Sequence, residues 1–113
     1  VRHTYQDRWY IPGGGVRKRE TLEEAIRRET QEELGATLGD LELFGVYTNF
    51  YEGKSDHVIV FLCTAFSLTG QTDREIERFA RFPLDQLPAD LSPGTRRRVV
   101  EYLAGDFPNF GAW

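Results

Sequence analysis

Methionine is absent, cysteine occurs once, and no apolar run approaches the roughly 18–20 residues of a membrane-spanning helix. A lone Cys63 excludes an intrachain disulfide, so the 113-residue chain must hold itself together by burying a core, which its length allows. Cys63 closes the apolar run Val58-Ile59-Val60-Phe61-Leu62 and reads as a buried small hydrophobe in a reducing compartment, with the cytoplasm as the expected location. Without a methionine, Val1 is no natural translation start. The opening Val1-Arg2-His3-Thr4-Tyr5 reads as the end of a strand truncated at its N-terminus. Positive charge is also in short supply. The net charge of −4 excludes a general nucleic-acid-binding or anionic-membrane surface, though not a phosphorylated substrate whose charge is met by metal ions.

Hydrophobic residues at 40% and charged residues at 28% are an ordinary globular balance, and 1–113 reads as one domain. The pattern predicts a strand end over 1–5 and a polar turn over 6–10. Pro12-Gly13-Gly14-Gly15 breaks regular structure and lets backbone come close to a ligand. A helix is predicted over 21–34, opened by the Thr21/Glu24 capping box and stopped by Gly35. Strands follow at 41–51 and 57–66, the second buried on both faces, with a turn at 52–55. A loop at 70–74, a strand at 76–82 and one helical turn at 84–87 precede a last helix from Ser92-Pro93 to near Gly105. The aromatic tail 107–113 is expected to pack on the body. The fold class is α/β, layered around one sheet.

The helix carries the chemistry. At 100° per residue from Leu22, Ala25 and Ile26 lie at about 300° and about 40°, the core side. Glu29, Glu32 and Glu33 fall at about 340°, 280° and 20°, so the apolar stripe turns acidic. Like charges about 5 Å apart repel by about 3 kcal/mol at an effective dielectric near 20. The helix C-terminus disfavours anions as well. Arg27 and Arg28 are near enough in sequence to pair with them, but a divalent cation is the simplest remedy. All-oxygen ligands favour Mg²⁺, Mn²⁺ or Ca²⁺ over zinc.

Gly14, five residues, Glu20, seven residues and then Arg28-Glu29-Thr30-Gln31-Glu32-Glu33-Leu34-Gly35-Ala36 resembles the Nudix signature. The lead-in Trp9-Tyr10-Ile11-Pro12-Gly13-Gly14-Gly15-Val16 is similar to that family too. Thr30 departs from it, standing where an aliphatic residue is usual. The resemblance implies an α/β/α sandwich around a mixed β-sheet. It also implies an enzyme that cleaves the diphosphate (P–O–P) linkage of a nucleotide or nucleoside diphosphate derivative with Mg²⁺ or Mn²⁺. Glu29, Glu32, Glu33 and the Gly13 carbonyl would bind metal, with Glu20 and Arg28 holding those ligands in place. A non-catalytic nucleotide-binding module is the alternative.

Glu33 or Glu32 is expected nearest the attacking water, and Glu75 from a later loop is the other candidate base, ahead of Glu77, Asp56 and His57. Trp9, Tyr47, Phe50 and Tyr51 are candidates for stacking on a base, with core packing as the competing role. Arg2 and His3 are candidates for touching phosphate. Partners are expected to be small molecules, with no nucleic acid duplex and no membrane; a homodimer is left open.

Overall fold

A computed structural model describes residues 1–3, 8, 10–69, 76–78 and 82–113; the side chains of His3 and of 76–78 fall outside the description. The elements run β1 (Arg2–His3), α1 (Leu22–Leu34), β2 (Ala36–Leu38), β3 (Glu42–Tyr51), β4 (Lys54–Leu62), β5 (Phe66–Leu68), β6 (Ile76–Arg78), α2 (Pro93–Leu103) and β7 (Asn109–Ala112). Strands β1 and β6 pair antiparallel, as do β2 and β5. The main sheet, in the order β4-β3-β7, is mixed: β4 lies antiparallel to β3 and β7 parallel to it. This is the α/β architecture with a mixed sheet that the sequence predicts. Among the described residues no helix is long and apolar enough to cross a membrane.

Helix α1 begins and ends where its caps dictate. Thr21 Oγ1 accepts from the Glu24 amide and Glu24 Oε1 accepts from the Thr21 amide, both at 3.1 Å. Gly35 takes the left-handed conformation (φ 63°) and its amide donates to Gln31 O at 2.9 Å. The core side of the helix is not quite the predicted one. Leu22 is 45% exposed, and burial starts at Ala25 and continues through Thr30 and Glu33. Thr30 is tolerated inside because its hydroxyl donates back to Ile26 O at 2.8 Å. Arg27 ties the helix to the exit of β2 by donating to Leu38 O at 2.6 Å and Gly39 O at 2.9 Å.

Glu52 and Gly53, both with positive φ, make a two-residue turn that starts β4 at Lys54, earlier than predicted. The strand stops at Leu62, so Cys63 lies beyond it, half-buried, with its thiol donating to Ala65 O at 3.3 Å. Residues 58–62 are half-buried rather than enclosed on both faces. A register shift between Leu43 and Gly45 places Phe44, Gly45 and Tyr47 all in the interior, which strict alternation would forbid. Strands β2 and β5 are too short to give a periodic signal. Residues 84–87 form a turn, closed by Gln86 N–H to Pro83 O at 2.9 Å, and not a helical turn. The expected loop at 70–74 lies outside the described residues, as do most of the 6–10 turn and the far end of the 76–82 strand.

The aromatic tail docks as predicted but does so as strand β7, continued by Trp113 N–H to Thr48 O at 2.8 Å. It is fastened to α2 by a buried cation. The Arg98 guanidinium lies 3.8 Å from the Tyr47 ring centre and 4.8 Å from that of Trp113, and it pairs with Glu101. Helix α2 can approach because residue 94 has no side chain: a Cβ there would stand 2.0 Å from Trp113 Nε1. We therefore expect Gly94→Ala to lower unfolding free energy by about 1–3 kcal/mol in urea titrations. An unchanged midpoint would show that Trp113 moves aside at no cost.

Candidate active site

Glu20 and the second half of α1 are brought together by one guanidinium. Arg28 Nε donates to Glu20 Oε2 at 2.7 Å and Arg28 Nη2 to Glu20 Oε1 at 2.9 Å, a forked pair. Nη2 also donates to the Gly15 carbonyl at 2.8 Å, which fixes the glycine turn against the helix. Nη1 donates to Glu29 Oε1 at 2.8 Å and Glu32 Oε2 at 3.3 Å. The same cation thus draws together two carboxylates that would otherwise repel. Its pKa is raised further, first by the hydrogen bond to Glu20 and then by that to Glu29.

Glu29 lies directly against the turn. A Cβ on Gly14 would stand 2.4 Å from Glu29 Cδ and 2.5–2.6 Å from its two oxygens. Gly13 and Gly15 meet no such neighbour. Of the three glycines, Gly14 is the one that close approach to a carboxylate demands. Glu33 is 3% exposed, and its negative charge opposes the loss of basicity that burial imposes on the Val1 amine. Glu32 sits at the rim, with its second oxygen reached by Arg17 Nη2 at 3.3 Å. Arg27 takes no part, since it pairs with Glu23.

As they stand, no three His, Cys, Asp or Glu side chains among the described residues converge into a metal cage; Glu29 and Glu32 face Arg28 instead. The donor set nevertheless fits a hard divalent cation. It is all oxygen and bears several negative charges, and the Gly14 cradle brings one carboxylate onto the turn carrying the Gly13 carbonyl. The apolar cavity of about 470 Å³ lies elsewhere, between α1, α2 and the β3–β4 hairpin, and is lined by residues such as Ile26, Phe44, Phe61 and Val99. It reaches α1 from the apolar side, at Ile26, Thr30 and Leu34, and among the described residues no acidic side chain lines it.

The aromatic expectations divide. Tyr47 is 2% exposed, enclosed by Arg98, Trp113 and Glu101, with its hydroxyl 3.5 Å from both Glu101 oxygens. Burial and then Glu101 raise its pKa. Its role in base stacking is therefore corrected: it is a core residue that holds the tail. Tyr51 and Phe50 are exposed at the end of the β3–β4 hairpin. Arg2 lies on β1, with its backbone registered to Arg78. Asp56 and His57 are exposed on β4. Trp9 and Glu75 lie outside the described residues, and so do the side chains of His3 and Glu77. The residue missed from sequence is Arg17; the run Arg17-Lys18-Arg19 was its signal.

The hydrogen bonds from Arg28 and then from the Arg17 amide hold the Glu20 carboxyl down at about 2 against an ordinary 4.5. A depressed acid stabilises the fold fully above its unfolded value and loses that contribution as pH falls through the folded one. The metal-free melting temperature should fall between about pH 4.5 and about pH 2, and Glu20→Gln should flatten that slope while lowering the plateau near pH 7. Parallel curves for the two proteins would remove Glu20 from the acid transition.

The family model described as "NUDIX domain" matches residues 1–103. Nucleoside triphosphatase NudI from Escherichia coli strain K12 is 31% identical over 110 residues, spanning 87% of this chain and 78% of its own. A MutT NUDIX hydrolase from Burkholderia pseudomallei superposes with a TM-score of 0.68 at 33% identity, over 79% of this chain and 72% of that one. A UDP-X diphosphatase shares the fold, with a TM-score of 0.65 at 21% identity over 98% of this chain and 58% of its own. Together with the Gly14–Ala36 spacing and the carboxylates gathered at Arg28, these matches establish that the chain belongs to the NUDIX domain family and is a phosphoanhydride hydrolase.

Proposed function

We propose that this chain, as a single domain over 1–113, hydrolyses the P–O–P linkage of a nucleotide or nucleoside diphosphate derivative with the help of Mg²⁺ or Mn²⁺. The observation that carries the proposal is the shared hold of Arg28 on Glu29 and Glu32, beside the Gly14 cradle and the buried Glu33. Glu29, Glu32, Glu33 and the Gly13 carbonyl would hold the cation. When bound, it would neutralise phosphate oxygens and make water more acidic.

The rest falls to the chain itself. Arg28 and Glu20 keep the carboxylates and the glycine turn in place, so little rearrangement is needed when substrate arrives. Glu33, or Glu32 beside it, takes the proton of the attacking water. The water oxygen bonds to phosphorus, the bridging P–O bond breaks, and its electron pair leaves with the departing phosphate. Glu75 is the alternative base. Arg2, Trp9 and the exposed Tyr51 are the remaining candidates for contacting substrate. The similarity to a protein named nucleoside triphosphatase supports nucleotides as the substrate class. The free thiol Cys63 supports the cytoplasm as the setting.

Phosphate release from a panel of nucleoside di- and triphosphates and diphosphate sugars with Mg²⁺ tests the reading. Glu33→Gln should cut turnover by at least about a hundredfold with its circular dichroism unchanged. Mg²⁺ should raise the melting temperature of the wild type more than that of the variant. The metal-free variant should melt no lower than wild type, since glutamine keeps the shape and removes one of the like charges crowded at Glu29, Glu32 and Glu33. Tight binding of one compound with no turnover of any would favour a non-catalytic module instead.

A further inference from the structure

Three cations follow one another at Arg17, Lys18 and Arg19, all exposed, in the loop between the glycine turn and Glu20. Most loop cations are simply solvated, but this loop is held. The Arg17 amide donates to Glu20 Oε1 at 2.9 Å, and the Glu20 amide donates to Arg17 O at 3.1 Å. Upstream, Gly15 O accepts from Arg28 at 2.8 Å. Arg19 adopts φ 65°, a left-handed conformation uncommon for a residue that bears a side chain. From this fixed base the Arg17 side chain, 66% exposed, reaches Glu32 Oε1 at 3.3 Å.

A phosphate chain arriving at Glu29, Glu32 and Glu33 meets like charge that a bound cation offsets at the cluster itself, and side-chain cations at the rim favour its approach from solvent. Arg28 is committed to two carboxylates in close contact and to the Gly15 carbonyl. Arg27 is committed to Glu23 and two backbone carbonyls. Among the described residues the Arg17 side chain has a single long contact, made from the solvent side. We infer that Arg17 exchanges Glu32 for the substrate and binds its phosphate chain, with Lys18 and Arg19 extending the same cationic edge. This edge selects nucleoside triphosphates over nucleoside diphosphates esterified at both ends. An unsubstituted terminal phosphate carries more negative charge and offers a guanidinium two oxygens at once. The inference rests on the hydrolase reading above.

The test compares wild type, Arg17→Ala and Arg17→Lys by calorimetry with Mg²⁺. The ligands are a nucleoside triphosphate with methylene groups replacing its anhydride oxygens and a methylene-bridged nucleoside diphosphate sugar. Arg17→Ala should weaken the triphosphate analogue about tenfold and the sugar analogue less than about threefold, with Arg17→Lys recovering part of the loss. For a hydrolysable triphosphate, KM should rise while kcat stays within about twofold, the mark of a contact made equally in ground and transition states. Mn²⁺ affinity without nucleotide should be unchanged or tighter in Arg17→Ala. Weaker Mn²⁺ binding would show that Arg17 merely positions Glu32 and would overturn the inference, as would equal losses on both ligands. A wild type that hydrolyses triphosphate, with Arg17→Ala binding it equally well, sinks this inference alone. A wild type that neither binds nor cleaves any of them removes the hydrolase reading and this inference with it.

Discussion

The Arg28 guanidinium is the interaction on which the acidic end of this molecule depends. Its planar fork reaches in three directions: to both oxygens of Glu20, to one oxygen each of Glu29 and Glu32, and to the Gly15 carbonyl. A lysine offers one compact charge and no fork, and could not span the loop, the helix and the turn together. Charge flows both ways through the arrangement. Glu20 and Glu29 hold the guanidinium proton more tightly, and Arg28 keeps Glu20 ionised far into acid. Glu29 and Glu32 are thereby oriented and close to one another before any ligand arrives.

That arrangement answers the difficulty posed by helix α1. Three glutamates on or near a core-facing stripe repel one another and sit at the wrong end of the helix dipole. Two of them are relieved from the sides, by Arg28 and, at Glu32, by Arg17 as well. Glu33 is the buried one, 3% exposed on the same face as Ala25 and Thr30, and its charge acts on the Val1 amine. A cluster built only for stability would replace that buried carboxylate with an aliphatic chain. Its retention, together with a glycine whose hydrogen makes room for Glu29, fits the site proposed for phosphoanhydride hydrolysis.

A second arginine, buried on α2, does structural work. Arg98 lies against Tyr47 and Trp113 and pairs with Glu101, joining α2, β3 and the chain that follows β7. The two arginines divide the molecule. One organises oxygens around a ligand site; the other gives a buried cation two aromatic faces and one carboxylate. Tyr47 belongs wholly to the second, and this explains why an aromatic that sequence allows as a substrate platform is not one.

Sequence alone determined the elements whose signals are local. The Thr21/Glu24 box and Gly35 bound α1 because capping is settled within one turn of helix. The Gly14-to-Ala36 spacing placed the glutamates on one face because helical geometry allows no other arrangement. It also carried the family, since fixed spacing between the glycine turn and α1 is what the chemistry requires. Tertiary structure alone decided the rest, through contacts between residues distant in the chain. It turned Asn109–Ala112 into a strand by offering it the open edge of β3, enclosed Tyr47 under Arg98 and Trp113, and exposed Leu22 while burying Glu33. It also brought Arg17 to Glu32, across a loop whose path depends on Arg28 and Glu20. Periodicity states which residues share a face, but which face is covered, and by what, depends on neighbours that no local pattern specifies.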